Sequence, residues 1–322
     1  MTHVTPAPID APPILENKPA SLRRDAWRRL RANKTALVGL VVILILAFIA
    51  VFGQFLTPYD FLSQDLASRN LPPSLIHWLG TDDLGRDVAS RLIYGTRTAF
   101  IVAIVVTGIS LVIGASLGAI AGYVGGWVDG LIVWLSDTTM SVPNLLLVIA
   151  INTSLKPVVG RWMEAMYQQS LNPIFRNTLL VDFILVFGSM ALISWPQYAR
   201  LVRAQVLSIR SRPYVLAARS LGLTQREIIA RYIIPNATAP LIVAVSAGLG
   251  TAMVLESSFS FLGIGVSPPT PSWGVMISDG LRVWRQYPHL LAAPALILAF
   301  ATVSFSFLGD GLNDALNPKS TK

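Results

Sequence analysis

The chain of 322 residues contains no cysteine and few charged side chains. Without cysteine it has no disulfide, no thiolate metal site and no thiol nucleophile. Charged residues make up 13% of the sequence and hydrophobic residues 53%, whereas a soluble domain carries about 25% charge. This deficit of charge indicates lipid, and not a large aqueous surface, as the main surroundings of the chain.

Residues that could carry chemistry are scarce or scattered. None of the lysines follows a glycine, so the chain has no Walker A phosphate loop. The histidines, His3, His77 and His289, form no HExxH pattern, and no GxSxG nucleophile motif occurs. The sequence therefore predicts that the chain is not an enzyme and holds no cofactor or metal. Any energy that it uses must come from another chain.

Several apolar stretches are long enough to cross a bilayer, which needs roughly 20 residues of helix. Six spans are predicted, at 36–56, 99–123, 128–152, 179–199, 239–262 and 290–308. The fold class is therefore all-α, with six transmembrane helices. We predict the following order along the chain: a cytoplasmic tail with an amphipathic helix (1–35), a first anchor helix (36–56), an external loop with an amphipathic elbow (57–98), a transmembrane core (99–312) and a cytoplasmic tail (313–322).

The distribution of Lys and Arg sets the predicted orientation. With the N-terminus inside, the inner segments hold more of these residues than the outer ones, and the central loop is rich in Arg. Both termini are therefore predicted to be cytoplasmic. The net charge of +8 then follows from topology, so it does not indicate a nucleic acid as a partner.

The most unusual segment is that central loop, in which Tyr214–Asn236 reads YVLAARSLGLTQREIIARYIIPN. A short helix is predicted to end at Gly222, which suits a left-handed position after a helix. Thr224 and Glu227 form a capping-box pattern that starts a second helix, and Pro235 is predicted to end it. The loop contains no catalytic pattern. It is either a docking surface for another protein or an amphipathic connector on the anionic inner leaflet.

Acids in or near the predicted spans are candidates for function, because ionisable side chains are rare in membranes. Asp129 and Asp182 lie near predicted ends and are interpreted as interfacial. Asp137 lies in the run SDTTMSVPN, where Pro143 is predicted to kink the helix, and Glu256 lies in the fifth span. Asp137 and Glu256 are predicted to face a pathway or to pack against a partner.

Three further segments carry predictions. Thr81 with Asp82 and Asp83 is predicted to cap an amphipathic helix, since the ligand order of an EF-hand is missing. Gly114 and Gly118, four residues apart, predict close helix packing. The run 155–177 is predicted to be an external loop, and the sequence does not indicate its role.

Several of these segments resemble the membrane subunits of ABC importers. The family pattern is Glu-Ala-Ala, three residues, Gly, and later Leu-Pro; here it reads Leu216-Ala217-Ala218, Gly222 and Ile234-Pro235. Leu216 and Ile234 depart from that pattern. The segments His77–Phe100, Gly265–Gly280 and Phe307–Lys319 are similar to the C-type permease subunits of the dipeptide, oligopeptide and nickel transport family. The resemblance covers nearly all of the chain after Ser21.

This resemblance implies a type I ABC importer fold in a bacterial cytoplasmic membrane. It implies a heterodimer with a homologous permease, two cytoplasmic ATPases that bind ATP and Mg, and an external solute-binding protein. The coupling loop, 200–238, would dock the ATPases through Leu216, Ala217, Ala218, Arg219, Gly222, Thr224, Arg226 and Pro235.

The family transports short peptides, nickel chelates and related solutes, and peptides are the commonest substrates. Two other classes of protein stay open from the residues alone. A proton-driven secondary transporter would need acids facing a cavity, and an integral membrane enzyme would need clustered catalytic side chains.

Overall fold

The structure, a computed structural model, describes residues 22–57, 59–172, 175, 178–266 and 268–316. Helices dominate this part of the chain. Their bounds are α1 Leu22–Ala32, α2 Lys34–Phe52, α3 Val88–Val124, α4 Gly126–Ser141, α5 Asn144–Ser170, α6 Thr178–Arg210, α7 Pro213–Ser220, α8 Gln225–Ile228, α9 Ile234–Phe261, α10 Trp273–Val283 and α11 Pro288–Leu316. A π-helical segment, Ile229–Ile233, joins α8 to α9.

Helix length and composition confirm the polytopic all-α fold. Five helical stretches among the described residues are long and apolar enough to cross a membrane: 34–55, 88–124, 144–170, 231–261 and 288–316. The predicted span 179–199 lies inside α6, a helix of 33 residues, which is about 50 Å long at 1.5 Å per residue.

The third predicted span, 128–152, is wrong as a single helix. α4 ends at Ser141 and α5 begins at Asn144. Pro143 between them has no N–H to donate and its ring opposes a continuous helix, so the predicted kink is a full break. α5 then continues to Ser170, and most of the predicted external loop 155–177 is therefore helical.

The start of α3 also differs from the prediction. The capping residue is Asp87, whose carboxylate accepts hydrogen bonds from the N–H and the hydroxyl of Ser90. Asp82 instead organises the preceding loop by accepting from the N–H groups of Leu84 and Arg86. The assignment of the cap to Thr81, Asp82 and Asp83 is therefore wrong. α3 runs without interruption from the end of this loop to Val124.

The centre of the fold is the contact between α3 and α6. A Cβ atom on Gly118 would lie 2.3 Å from the carbonyl oxygen of Ala199, and one on Gly114 would lie 2.4 Å from that of Trp195. Side chains larger than hydrogen do not fit there, so the two backbones are in direct contact. The predicted role of Gly114 and Gly118 in helix packing is confirmed.

Candidate coupling surface

α7 and α8 form a compact unit at the end of α6. Val215 and Ala218 of α7 are buried, and Val215 packs with Ile228, Ile233 and the end of α6 in one apolar cluster. The unit is therefore fixed to the membrane-spanning helices by its own small core. We call the segment Pro213–Ile233 the coupling unit.

The turn inside the coupling unit has the geometry that the sequence predicts. Gly222 has φ +82°, a left-handed conformation that a side chain strains. Its N–H donates to the carbonyl of Arg219, and the N–H of Leu223 donates to that of Ala218. These two bonds form a Schellman motif, which satisfies the last carbonyl groups of α7.

The second helix begins with the predicted capping box. The N–H of Thr224 donates to Glu227 Oε2 at 2.9 Å, and the N–H of Glu227 donates to Thr224 Oγ1 at 3.4 Å. The hydrogen bond from the Thr224 backbone, together with that from its hydroxyl, lowers the pKa of Glu227 below its usual range. The ionised carboxylate is thus part of the structure of the turn.

Pro235 does not end the second helix, so that prediction is wrong. Helical backbone continues from Gln225 through the π-helical segment into α9, where Pro235 occupies the first turn. The N–H of Ile234 donates five residues back to the carbonyl of Ile229. The wider π turn makes room for the proline ring, which would clash with a carbonyl in regular α-helix. The coupling unit and α9 are therefore continuous.

The outward face of α7 differs from the predicted one. Ala217 is exposed, but Ala218 is 3% exposed and faces the chain's own core. Leu216 and Leu221 are exposed as well, at 49% and 80%. We call the exposed apolar residues Tyr214, Leu216, Ala217 and Leu221 together the apolar face of α7, within which Leu216 lies about 100° around the helix from Ala217. Sequence reasoning did not identify Tyr214 and Leu221, although their spacing with Ala217 places the three on one side of a helix.

Arginines near the loop bind the chain's own acids. Arg203 makes two hydrogen bonds to Asp129, at 2.5 and 2.7 Å, and Arg200 binds Asp137 at 2.5 Å. Arg210 donates to the carbonyl of Gly122. These contacts tie α6 to α3 and α4. Arg219 is exposed and stays available to a partner, whereas the side chains of Arg226 and Asp182 lie outside the described residues.

Glu256 is fully buried within the chain. Its carboxylate accepts hydrogen bonds from the hydroxyls of Ser260 and Ser257, and Ser260 Oγ accepts from the N–H of Val266. The carboxylate therefore links the end of α9 to the loop that follows. In this arrangement it packs inside the subunit.

Five long apolar helical stretches and a folded loop between two of them define the class as a polytopic helical membrane protein. Residues 114–322 match the family described as binding-protein-dependent transport system inner membrane component. Residues 21–73 match the N-terminal TM domain of oligopeptide transport permease C. The chain belongs to this permease family, and the resemblance to the dipeptide, oligopeptide and nickel group of ABC importers is confirmed.

Relatives align over almost the whole chain. The dipeptide transport system permease protein DppC of Bacillus subtilis is 37% identical, and the alignment covers 93% of this chain and 86% of DppC. The oligopeptide permease OppC of the same organism is 35% identical, with 96% of this chain and 93% of OppC aligned. The glutathione permease GsiD of Escherichia coli is 32% identical, with 97% and 96% aligned.

A solved amino acid ABC transporter has a TM-score of 0.49 and 17% identity over 69% of this chain and 92% of its own. That likeness is too low to support a conclusion. The family itself makes the chain a multi-span protein of an inner-membrane transport system that works with a binding protein and an ATPase.

Proposed function

We propose that this chain forms half of the translocation pathway of a peptide importer and transmits ATPase movement to that pathway. A homologous permease supplies the other half. Two cytoplasmic ATPases bind ATP and Mg, and an external solute-binding protein delivers the substrate. Both termini are cytoplasmic, and the chain itself catalyses no reaction.

The apolar face of α7 carries this proposal. In water, the exposed side chains of Tyr214, Leu216 and Leu221 favour a partner that covers them. The coupling unit beneath them is anchored by Val215 and Ile228 and is continuous with α9. Force applied at α7 is therefore transmitted into a spanning helix, which a flexible connector would not do. The same anchoring disfavours the reading of the loop as a lipid-bound connector.

The contact with the ATPase rests on apolar packing. Leu216 stands where the family pattern has Glu, and the neighbouring exposed charge on α7 is the cation Arg219. We expect the ATPase groove to be apolar in its centre, with acidic side chains near Arg219. Such a groove would differ from one that binds the family glutamate.

The names of the relatives support peptides as the substrate class. The aligned permeases belong to dipeptide, oligopeptide and glutathione transport systems, and all three substrates contain peptide or peptide-like amide bonds. The ligand retained by the cognate binding protein would identify the substrate directly. Recovery of a nickel chelate in place of a peptide would contradict this part of the proposal.

Docking is tested with two matched leucine substitutions in the assembled complex. Leu221→Glu places a charge on the apolar face, and Leu66→Glu makes the same change at an exposed leucine in the predicted external loop. Because central apolar contacts dominate protein interfaces, Leu221→Glu should reduce ATPase co-purification and ATP-dependent uptake by about tenfold or more. Leu66→Glu should leave ATPase co-purification unchanged.

Two outcomes would contradict the proposal in different ways. Normal ATPase content and uptake in Leu221→Glu would show that α7 does not dock the ATPase. Uptake that persists in a complex without ATPases would favour a secondary transporter. Ala218→Glu is unsuitable for this test, since Ala218 is buried and the variant would disrupt the coupling unit itself.

A further inference from the structure

The loop that joins α2 to α3 carries an uncharged segment with unusually exposed apolar side chains. We call residues 70–81 the apolar tip, since they include no Asp, Glu, Lys or Arg. Within four consecutive residues, Leu75 is 96% exposed, Ile76 68% and Trp78 60%. Large apolar side chains grouped in this way mark a surface that contacts another protein or a membrane.

Hydrogen bonds hold the apolar tip in one shape. The N–H of Ser74 donates to the carbonyl of His77 at 2.8 Å, and the N–H of Thr81 donates to that of Leu71 at 3.1 Å. The Nδ1 atom of His77 lies 2.9 Å from Oδ1 of Asp87, the residue that caps α3. The exposed side chains therefore belong to a folded surface that is fixed to the start of α3.

The apolar tip lies where the first span ends. Ile76 and Trp78 line a small cavity together with Thr57 and Ile93. Thr57 follows closely after the long apolar stretch that contains α2, and a Cβ atom on Gly53 would lie 2.3 Å from Cγ2 of Ile93. The other end of α3, a helix of 37 residues and about 55 Å, meets the end of α6 that carries the coupling unit. The tip is thus at the membrane boundary on the side opposite the coupling unit.

An apolar surface of α2 leads directly to the tip. The exposed side chains of this helix between residues 37 and 52 are all apolar, as hydrocarbon requires. Phe55 and Leu56 are exposed and extend this surface beyond α2. Ile76 and Trp78 then adjoin it at the cavity beside Thr57. No charged residue occurs between α2 and Thr57, so the lipid-facing surface continues onto the tip.

The composition of the tip favours lipid over a protein that docks and leaves. A transient protein interface is about as polar as the rest of a protein surface, whereas the tip lacks charge and exposes two aliphatic side chains beside an indole. Trp is enriched at the boundary between membrane and water, because its ring is apolar and its N–H is polar. Both features fit a segment that lies in the membrane interface.

We propose that the apolar tip inserts into the leaflet on the side opposite the coupling unit. Leu75 and Ile76 reach the upper part of the acyl chains, and Trp78 lies among the headgroups. The tip thereby gives the subunit a membrane contact in addition to its spanning helices. This contact does not depend on which solute is transported.

The absence of cysteine in this chain permits a direct test with single spin labels. Leu75→Cys and Trp78→Cys are labelled in the assembled complex, whose other subunits are made free of cysteine. The complex is reconstituted in vesicles of phosphatidylcholine and phosphatidylglycerol. Collisions of each label are measured with oxygen, which concentrates in the acyl chains, and with chromium oxalate, which stays in water.

Two leucines of the same chain calibrate the measurement. Leu44 is an exposed residue of α2 and gives the lipid reference. Leu66, 63% exposed, lies between the exposed Asp65 and Arg69 in the same loop as the tip and gives the aqueous reference. The ratio of oxygen to chromium oxalate collisions at Leu75→Cys should resemble that at Leu44→Cys. It should exceed that at Leu66→Cys several-fold, with Trp78→Cys between the two.

Two results would overturn the inserted tip. A ratio at position 75 that equals the one at 66, with and without the binding protein, would place the tip in water. Protection from chromium oxalate that occurs only when the binding protein is added would assign the surface to that protein. ATP-dependent peptide uptake by the same vesicles is measured in parallel. Its absence in the wild-type complex would refute the proposed function and leave the result on insertion unchanged.

Discussion

α3 and α4 follow each other directly in the chain, yet they are held in place by different interactions. α3 buries many residues, and its glycines bring its backbone against that of α6. α4 has one buried residue, Ser136, and reaches α6 through the ion pairs of Asp129 and Asp137. α3 is held in place by close backbone packing, and α4 mainly by ion pairs.

This difference divides the subunit into two regions. We call α3, α6 and α9 the body, and α4 with α5 the arm. Close-packed helices have few alternative arrangements, so α3, α6 and α9 are suited to move as one piece. α4 and most of α5 are left uncovered, as expected of surfaces that another subunit or a pathway completes. A transporter needs both kinds of region, since rigid parts transmit movement and incompletely packed parts rearrange.

The largest expected effect comes from making the same substitution, Gly to Ala, in α3 and in α4. Gly118→Ala places a Cβ 2.3 Å from the carbonyl oxygen of Ala199, and such overpacking should lower the free energy of unfolding by about 1–3 kcal/mol. Gly130→Ala in α4 has no atom within 4 Å of the added Cβ and should raise stability by up to about 1 kcal/mol. Denaturation of the purified protein in detergent micelles measures both. Equal losses would show that the body and the arm are packed alike.

A smaller effect concerns the charges that hold the arm. A double-mutant cycle with Asp129→Asn and Arg203→Gln should give a coupling energy of about 1 kcal/mol, because the pair is bidentate and partly shielded. The cycle with Asp137→Asn and Arg200→Gln should give less than about 0.5 kcal/mol, since that pair is half exposed. A stronger coupling in the second pair would show that exposure does not set the strength of these two ion pairs.

The smallest effect extends the comparison to the coupling unit, whose turn is held by polar caps. Because the pKa of Glu227 is lowered in the folded state, its contribution is fully present above the unfolded pKa, about 4.3. It is lost as the pH falls through the lower folded value. Amide hydrogen exchange at Thr224, corrected for intrinsic pH dependence, should therefore accelerate in acid. Glu227→Gln should remove that acid-induced change, and an unchanged profile would contradict the role of the carboxylate.

Local signals predicted the coupling unit better than they predicted its outer face. Gly222 and the pair Thr224–Glu227 act through backbone hydrogen bonds within a few residues, so the sequence specified them. The inward side of α7 depended on distant contacts instead. Tyr214 and Leu221 form one apolar side of α7, and Val215 and Ala218 form another. The sequence alone does not show which of the two sides packs against α6.

The same limit explains the differences in the membrane helices. Pro143 is predicted to kink a helix and Pro235 to end one, but Pro143 lies at a break and Pro235 lies in a continuous helix. The two prolines differ because a π turn precedes Pro235. No pattern of neighbouring residues in the sequence predicts that turn. The partners of Asp129 and Asp137 were likewise hidden, because Arg203 and Arg200 are far away in sequence.

The π-helical segment Ile229–Ile233 also sets the rotation of α7 and α8 relative to α9. One extra residue in a helix turns everything beyond it by about 100°, so Ile229–Ile233 fixes the angle between α7 and the faces of α9. Removing a single residue there would shorten the segment by one residue and leave α7 and most of α9 helical. It would, however, point Leu221 in another direction relative to the membrane-spanning helices. If α7 docks the ATPase as proposed, the direction of the transmitted movement depends on the number of residues in this segment as well as on the docking residues.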